Sequence, residues 1–163
     1  THAVAQEDLS DLQSALETAD DVDTTLERFR VAPEAGPVEK NGALIEHAFS
    51  ASSVEEVLGR LDASGDEFAG KTAEAIRSKS PTSVLIAFEQ MKRGAALTFN
   101  ECMKLEYRIV SQILKGKDFF EGIRAVVVDK DQSPKWQPNQ LAQVDRAGLA
   151  SYFEEPFDGD LLI

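Results

Sequence analysis

Apolar residues recur every three or four positions along most of this chain, and that spacing limits its fold more than any other feature. It places apolar side chains on one face of a helix, whereas a strand with one buried face requires alternation with a period of two. The longest such pattern follows Thr98, and its apolar positions are Cys102, Leu105, Ile109 and Ile113. The β-branched run at 126–128 falls inside a better helical period. The sequence therefore predicts an all-α chain.

Capping signals divide this pattern into separate helices. In a capping box, two residues three positions apart satisfy the free backbone N–H groups at a helix start. Three pairs have a start signature of this kind: Ser53 with Glu56, Thr98 with Glu101, and Asp118 with Glu121. Ser80 before Pro81 is another start, because proline at the first helical position needs no N–H partner. The predicted ends are Gly65, Gly94 and Gly116, and a last helix is predicted from about Asp145 to Phe153.

The charge of the chain is distributed unevenly. Residues 1–66 carry 15 acidic and 4 basic side chains, for a net charge of −11, whereas residues 71–135 carry 8 acidic and 12 basic ones, for a net charge of +4. The first region is typical of a solvated acidic surface, and the second is suited to face an anionic small ligand. The overall charge of −12 argues against non-specific binding to nucleic acid, which depends on clustered Lys and Arg.

Few residues of the sequence are suited to catalysis or metal binding. The two histidines, His2 and His47, and the one cysteine, Cys102, are scattered, whereas a zinc site needs four such ligands or three and a water. A lone cysteine also excludes an internal disulfide. No two glycines are adjacent, the chain has no phosphate-binding glycine pattern, and no apolar run approaches the roughly 20 residues that cross a membrane. The residues by themselves predict no active site, no metal and no cofactor.

Residues 118–136 have a composition unlike that of an ordinary helix end. Gly122 lies early in a predicted helix, where glycine is unfavourable, so close packing is expected there. Lys130 and Lys135 flank a turn just after that helix, where cations interact well with its negative end. The alternative is a purely structural role, in which Trp136 fills a gap in the core.

Five stretches of the sequence resemble one known family. They are 103–108 (MKLEYR), 118–136 (DFFEGIRAVVVDKDQSPKW), 80–83 (SPTS), 49–57 (FSASSVEEV) and the opening THAV. The chain resembles the C-terminal part of 3-hydroxyisobutyryl-CoA hydrolases, a branch of the crotonase (enoyl-CoA hydratase/isomerase) superfamily.

The resemblance implies that a ββα-spiral core, which carries the oxyanion hole and the catalytic acids in that superfamily, is absent from this chain. The absence of Met at position 1 fits that expectation. Residues 1–30 would then be helices at the end of the core, residues 31–41 a linker that contains Pro33 and Pro37, and residues 42–163 a C-terminal helical domain. No residue of the chain is assigned a catalytic role, and the chain alone is expected to be inactive.

The resemblance also implies that the last helices cover the site of an acyl-CoA substrate. In the superfamily a lysine in a Glu-Lys-Arg-like motif can meet the phosphates of coenzyme A, and Lys130 matches that lysine, although Asp131 replaces the usual cation. Arg124 and Lys135 are further candidates for phosphate binding. Phe119 and Phe120 are candidates for lining the adenine or acyl pocket.

Three functions remain open at this point. The first is hydrolysis of 3-hydroxyisobutyryl-CoA in valine catabolism by the longer enzyme, and the second is an enoyl-CoA hydratase or isomerase activity of the same superfamily. The third is a helical interaction module that packs on a crotonase-like core or associates with itself, at least as a dimer. The apolar face expected to be exposed consists of Leu105, Ile109, Ile113, Phe119 and Phe120. The implied location is the cytoplasm of a bacterium or the mitochondrial matrix of a eukaryote.

Overall fold

A computed structural model describes residues 2–33 and 35–163. Within these residues the chain is helical, without a β-strand, and an isolated antiparallel bridge joins Val4 and Arg30. The prediction of an all-α chain is confirmed. The chain divides into two compact units, Thr1–Gly42 and Ala43–Ile163. The assignment of residues 31–41 as a linker stays a prediction.

The first unit is built around a helical hairpin. Its elements are a 3₁₀ turn at Gln6–Asp8 and the helices α1 (Leu9–Glu17), α2 (Val22–Arg28) and α3 (Pro37–Lys40). Helices α1 and α2 pack against each other, and Leu12 of α1 and Thr25 of α2 are buried. The carboxylate of Asp21 begins α2 by accepting a hydrogen bond from Thr24 N–H at 2.7 Å.

The remaining helices lie in the second unit, apart from Gly42, the first residue of α4. They are α4 (Gly42–Phe49), α5 (Val54–Ser64), α6 (Glu67–Arg77), α7 (Pro81–Gly94), α8 (Phe99–Ile113) and α9 (Asp118–Ile123). Helix α9 continues into a π-helical turn at Arg124–Val128, and 3₁₀ segments follow at Leu141–Gln143 and Gly148–Phe153. Helix α8 ends at Ile113 rather than at the predicted Gly116.

Local capping chemistry explains several of these boundaries. At α8 the capping box is complete: Thr98 Oγ1 accepts a bond from Glu101 N–H, and the Glu101 carboxylate accepts one from Thr98 N–H at 2.8 Å. Ser80 caps α7, whose first residue is Pro81, and Gly65 ends α5 with a left-handed φ of 67°. These predicted signals are confirmed.

The predicted capping box at α5 forms only in part. Ser53 Oγ accepts a bond from Glu56 N–H at 3.2 Å, as expected. The Glu56 carboxylate, however, accepts from the backbone N–H and the hydroxyl of Ser52, at 2.9 and 2.8 Å, instead of from Ser53. These two bonds, together with one from Arg60, lower the pKa of Glu56 to about 2.

The predicted start signature of Asp118 with Glu121 is wrong. Helix α9 begins at Asp118 itself, and the residue before it, Lys117, makes no side-chain cap bond. The two carboxylates are occupied elsewhere: Asp118 accepts from the Ser80 hydroxyl, and Glu121 pairs with Arg124. The capping that the spacing predicted is therefore replaced by a tertiary partner at Asp118 and by an ion pair three residues away at Glu121.

The last predicted helix is shorter and tighter than expected. It is a 3₁₀ segment at Gly148–Phe153, and Asp145 instead closes the preceding turn by accepting a bond from Ala147 N–H at 3.1 Å. Phe153 is buried, and the Arg93 guanidinium lies 4.1 Å from the centroid of its ring. The segment thus ends at a residue anchored in the core.

Buried apolar residues form two clusters in the second unit. The larger one has Leu61 as its largest fully buried side chain and is formed mainly by α4, α5, α6 and α7. The smaller one consists of Ile86, Leu105, Ile109 and Phe153.

The smaller cluster corrects one expectation about the surface. Leu105 and Ile109 are only 7% and 5% exposed, so their assignment to an exposed apolar face is wrong. The reason is that the 3₁₀ segment ending at Phe153 packs on α8 and covers them. Phe119 and Phe120 do remain exposed, as predicted.

Candidate functional site

The segment that follows α8 is attached to the junction between α6 and α7 by two hydrogen bonds, and a third bond joins the two ends of the segment. Asp118 accepts from the Ser80 hydroxyl at 2.5 Å and from Gln137 N–H at 3.1 Å. Trp136 Nε1–H donates to the Ser78 carbonyl oxygen at 3.0 Å. Ser80 is buried, so the segment is fixed to the interior of the unit at this point.

Trp136 and Gly122 lie against each other. A Cβ atom at Gly122 would lie 3.4 Å from the Trp136 ring, which is ordinary van der Waals contact. The close packing expected at Gly122 is therefore present, although an alanine would also fit. Trp136 is half-buried and bridges two segments of the chain, so filling a core gap is only part of its role.

The π-helical turn ends α9 and leads into a compact loop. Asp129 N–H donates to the Arg124 carbonyl oxygen at 2.8 Å, and Gln132 N–H donates to that of Ala125 at 3.1 Å. Ala125 is completely buried. Lys130 and Gln132 have φ angles of 56° and 53°, in the left-handed region that side chains other than glycine rarely adopt. The backbone of residues 129–133, the cation loop, is therefore held in an uncommon conformation.

Arg124 is the centre of the hydrogen bonds in the cation loop. Nε and Nη2 donate to the two carboxylate oxygens of Glu121, both at 2.9 Å. Nη1 donates to Asp129 and to Asp131, both at 2.7 Å, and Nη2 also donates to the Ser133 carbonyl oxygen at 3.2 Å. These carboxylates raise the pKa of Arg124, Glu121 most strongly.

The carboxylates around Arg124 are held in their ionised form. Bonds from Arg124 and from Lys135 N–H lower the pKa of Glu121 to about 2. Bonds from Arg124 and from Ser133 N–H lower the pKa of Asp131 below its ordinary value. The cluster therefore keeps its charges at neutral pH.

Lys130 and Lys135 are both exposed, and their ammonium groups form no ion pair with any residue in 2–33 or 35–163. Lys135 is tied to the cluster by its backbone alone, because its N–H donates to Glu121 at 2.6 Å. The structure thus brings three predicted residues together: Lys130 in the cation loop, and Arg124 and Lys135 on either side of it. Of these, the arginine is paired, and the two lysines are available to an anion.

Phe119 and Phe120 lie at the start of α9 and form an edge-to-face pair, with ring centroids 5.5 Å apart. They are 44% and 55% exposed. Further along the same segment, Ile123 and residues 126–128 are also exposed. Several exposed apolar side chains therefore lie in residues 119–128, just before the cation loop in sequence, and the role of both rings in a ligand pocket stays a prediction.

A second feature was missed in the sequence. An open groove of about 920 Å³ lies between α5, α6 and α7. Its principal apolar lining residues are Phe49, Phe68, Ile76, Phe88 and Met91, and its polar edge includes Lys71, Lys79 and Lys92. The signal that could have revealed the groove is the width of the stripe on α7, whose Met91 is 76% exposed.

Two other kinds of site are not found in residues 2–33 and 35–163. No group of three or more His, Cys, Asp or Glu side chains there is placed to hold a metal ion. Nor does that part of the chain contain a helix with the length and apolarity needed to span a membrane.

Comparison with known proteins identifies relatives along nearly the whole chain. Residues 1–153 match the family described as enoyl-CoA hydratase/isomerase. The mitochondrial 3-hydroxyisobutyryl-CoA hydrolase of Dictyostelium discoideum is 36% identical over 163 residues, which cover 94% of this chain and 43% of that protein. The human protein of the same name is 35% identical over 165 residues, which cover 98% of this chain and 42% of that protein.

Two solved structures are also similar. A carnitinyl-CoA dehydratase from Mycobacterium thermoresistibile has a TM-score of 0.86 and 30% identity, covering 97% of this chain and 45% of that one. An enoyl-CoA hydratase from Rhodobacter sphaeroides has a TM-score of 0.79 and 30% identity, covering 98% of this chain and 46% of that one. The chain spans less than half the length of these relatives and corresponds to the C-terminal portion of the hydrolases.

Proposed function

Because this chain belongs to the enoyl-CoA hydratase/isomerase family, we propose that it forms the C-terminal helical part of an enzyme that hydrolyses 3-hydroxyisobutyryl-CoA, as in valine catabolism. The observation that carries this proposal is the identity of 35–36% to hydrolases of that name over 94% or more of the chain. The role of the helical part is to cover the acyl-CoA site and to supply cations for the phosphates of coenzyme A.

The charges of the cation loop support this role. Arg124 pairs with Asp129 and Asp131, the two carboxylates on either side of Lys130. Paired carboxylates repel an approaching phosphate less than free ones do. The attraction between the phosphate and the exposed ammonium of Lys130 is therefore less reduced by the two neighbouring carboxylates. Phe119 and Phe120, at the start of the helix that leads to the loop, offer an exposed apolar surface for the adenine or the acyl group.

The first test of this role is Lys130→Ala in the core-containing enzyme, the protein in which a crotonase core precedes residue 1. Loss of a charge-assisted contact to phosphate is expected to raise KM for 3-hydroxyisobutyryl-CoA roughly tenfold. The turnover number kcat should stay within about twofold, since the lost contact is the same in the ground state and the transition state. Steady-state kinetics on purified enzyme measures both constants.

Lys40→Ala is the matched control, because it removes the same charge from an exposed lysine outside the cation loop. It should leave KM unchanged. If Lys130→Ala leaves KM equal to that of the control, Lys130 does not bind the phosphates.

A second candidate function, self-association, is favoured by the groove between α5, α6 and α7. The occupant we infer is a second copy of this chain. The groove is apolar with lysines at its edge, so a second copy would cover the apolar lining and pair carboxylates with those lysines.

Self-association predicts at least a dimer in light scattering at high protein concentration. Met91→Glu places a charge in the groove and is expected to weaken the dimer by about tenfold or more in dissociation constant. Phe99→Glu is the control, because Phe99 is 77% exposed and does not line the groove. A wild-type chain that stays monomeric, or equal weakening by both substitutions, would exclude this surface as the dimer contact.

A further inference from the structure

We propose that Arg124 is a positioning residue that fixes the cation loop so that Lys130 is presented to the ligand, and that Arg124 is not itself a phosphate ligand. The inference rests on the proposed function of Lys130 as a contact for the phosphates of coenzyme A. It replaces the expectation that Arg124 is a further candidate for phosphate binding.

The first step is a count of donors. A guanidinium group has five N–H donors and no acceptor. Arg124 makes five hydrogen bonds: two to Glu121, one to Asp129, one to Asp131 and one to the Ser133 carbonyl oxygen. Every donor is therefore in use within the chain, and a phosphate could bind Arg124 only by displacing one of these partners.

The second step concerns the shape of the loop. Asp129 and Asp131 are bound to the same nitrogen, Nη1 of Arg124, so the chain between them must arch outward at Lys130. The left-handed φ of Lys130 and of Gln132 is the backbone conformation of that arch. Such conformations are unfavourable for residues other than glycine and persist where surrounding contacts impose them.

The third step concerns Lys135, whose backbone N–H is bound to the same cluster. Glu121 binds Arg124 through both carboxylate oxygens, and Oε1 also accepts from Lys135 N–H. Asp131 accepts from Ser133 N–H at 2.9 Å, which closes the loop on itself. Arg124 thus fixes the backbone on both sides of Lys130, although Arg124 itself lies outside residues 129–133.

Arg124→Lys tests the proposal, because lysine keeps the charge but cannot make five bonds in a planar fork. In the 163-residue chain, hydrogen–deuterium exchange at the Gln132 amide, which donates to the Ala125 carbonyl, should become at least about tenfold faster. Arg146→Lys is the matched control, since Arg146 pairs with Glu55 outside the loop. It should leave the exchange of Gln132 unchanged.

A double-mutant cycle in the core-containing enzyme separates positioning from direct binding. Each of Arg124→Lys and Lys130→Ala should raise KM about tenfold, and the double variant should also raise it only about tenfold, because both remove the same contact. Independent phosphate ligands would instead give an increase of about a hundredfold in the double variant. That result would overturn the proposal.

Two further outcomes are informative. Unchanged exchange at Gln132 in Arg124→Lys would overturn the proposal whatever the kinetics show. Faster exchange together with no effect of Lys130→Ala on KM would support the positioning of the loop and overturn the proposed function of Lys130. If Arg124→Lys does not fold, Asp131→Asn removes one partner of the arginine, and it should accelerate the same amide.

Discussion

The 163-residue chain alone is expected to release no coenzyme A from 3-hydroxyisobutyryl-CoA, whereas the core-containing enzyme should hydrolyse it with many turnovers. Thioester hydrolysis needs donors that stabilise the developing oxyanion, and loss of one such donor already costs about 10²–10³ in kcat. The one free thiol, Cys102, is half-buried and lies 3.9 Å from the Gly94 carbonyl oxygen, so it is packed rather than paired with a base. A thiol-reactive dye measures the released coenzyme A.

The assay needs two comparisons. The first comparison tests whether the core-containing enzyme hydrates an enoyl-CoA, which is measured as a loss of absorbance of the conjugated thioester. Hydration would identify a hydratase, and release of coenzyme A a hydrolase. The second comparison uses the carefully purified 163-residue chain alone. Sustained release of coenzyme A by this chain would place the catalytic residues within these helices and contradict the proposal that they lie in the crotonase core.

Leu61→Ala is expected to lower the free energy of unfolding by about 3 kcal/mol, because it removes a side chain from a closely packed interior and leaves a cavity. Leu61 is 1% exposed and is the largest fully buried side chain of the second unit. Urea denaturation of the whole chain, followed by circular dichroism, gives the change as a lower midpoint at constant slope.

Leu162→Ala is the matched control for this substitution. Leu162 is 96% exposed, so its loss should change the free energy of unfolding by no more than about 0.5 kcal/mol. Equal effects of the two substitutions would mean that Leu61 does not lie in a packed core.

Helix boundaries set by neighbouring residues could be predicted from the sequence. Thr98 with Glu101, Ser80 before Pro81, and Gly65 act within one or two turns, and each does what its spacing indicated. The same reasoning failed where a distant partner competes for the side chain.

Asp118 and Glu121 show that failure most clearly. Asp118 binds Ser80, which is 38 positions away in sequence, and Glu121 binds the backbone of Lys135 as well as Arg124. Nothing in the local pattern distinguishes a carboxylate that caps a helix from one that has a stronger tertiary partner.

The candidate site could be predicted only in part, because some of its contacts also depend on the tertiary structure. The resemblance implied that Lys130 and Lys135 bind phosphate. The structure places Lys130 in the cation loop and Lys135 just after it, and both are close to residues bound by Arg124. Three of the five bonds of Arg124 reach Asp129, Asp131 and Ser133 and accompany the left-handed backbone of residues 130 and 132, which a sequence without glycine at those positions does not reveal.

The attachment of residues 118–138 to the α6–α7 junction has a consequence for the order of folding. Helices α5 and α6 are consecutive and can pair as soon as both form, whereas the Trp136–Ser78 bond closes a loop of 58 residues and the Ser80–Asp118 bond one of 38. The entropy of closing such loops must be overcome before their contacts contribute, so we expect this segment to dock last on a preassembled helical pair. The cation loop would then take its final position only on molecules in which these helices are already paired.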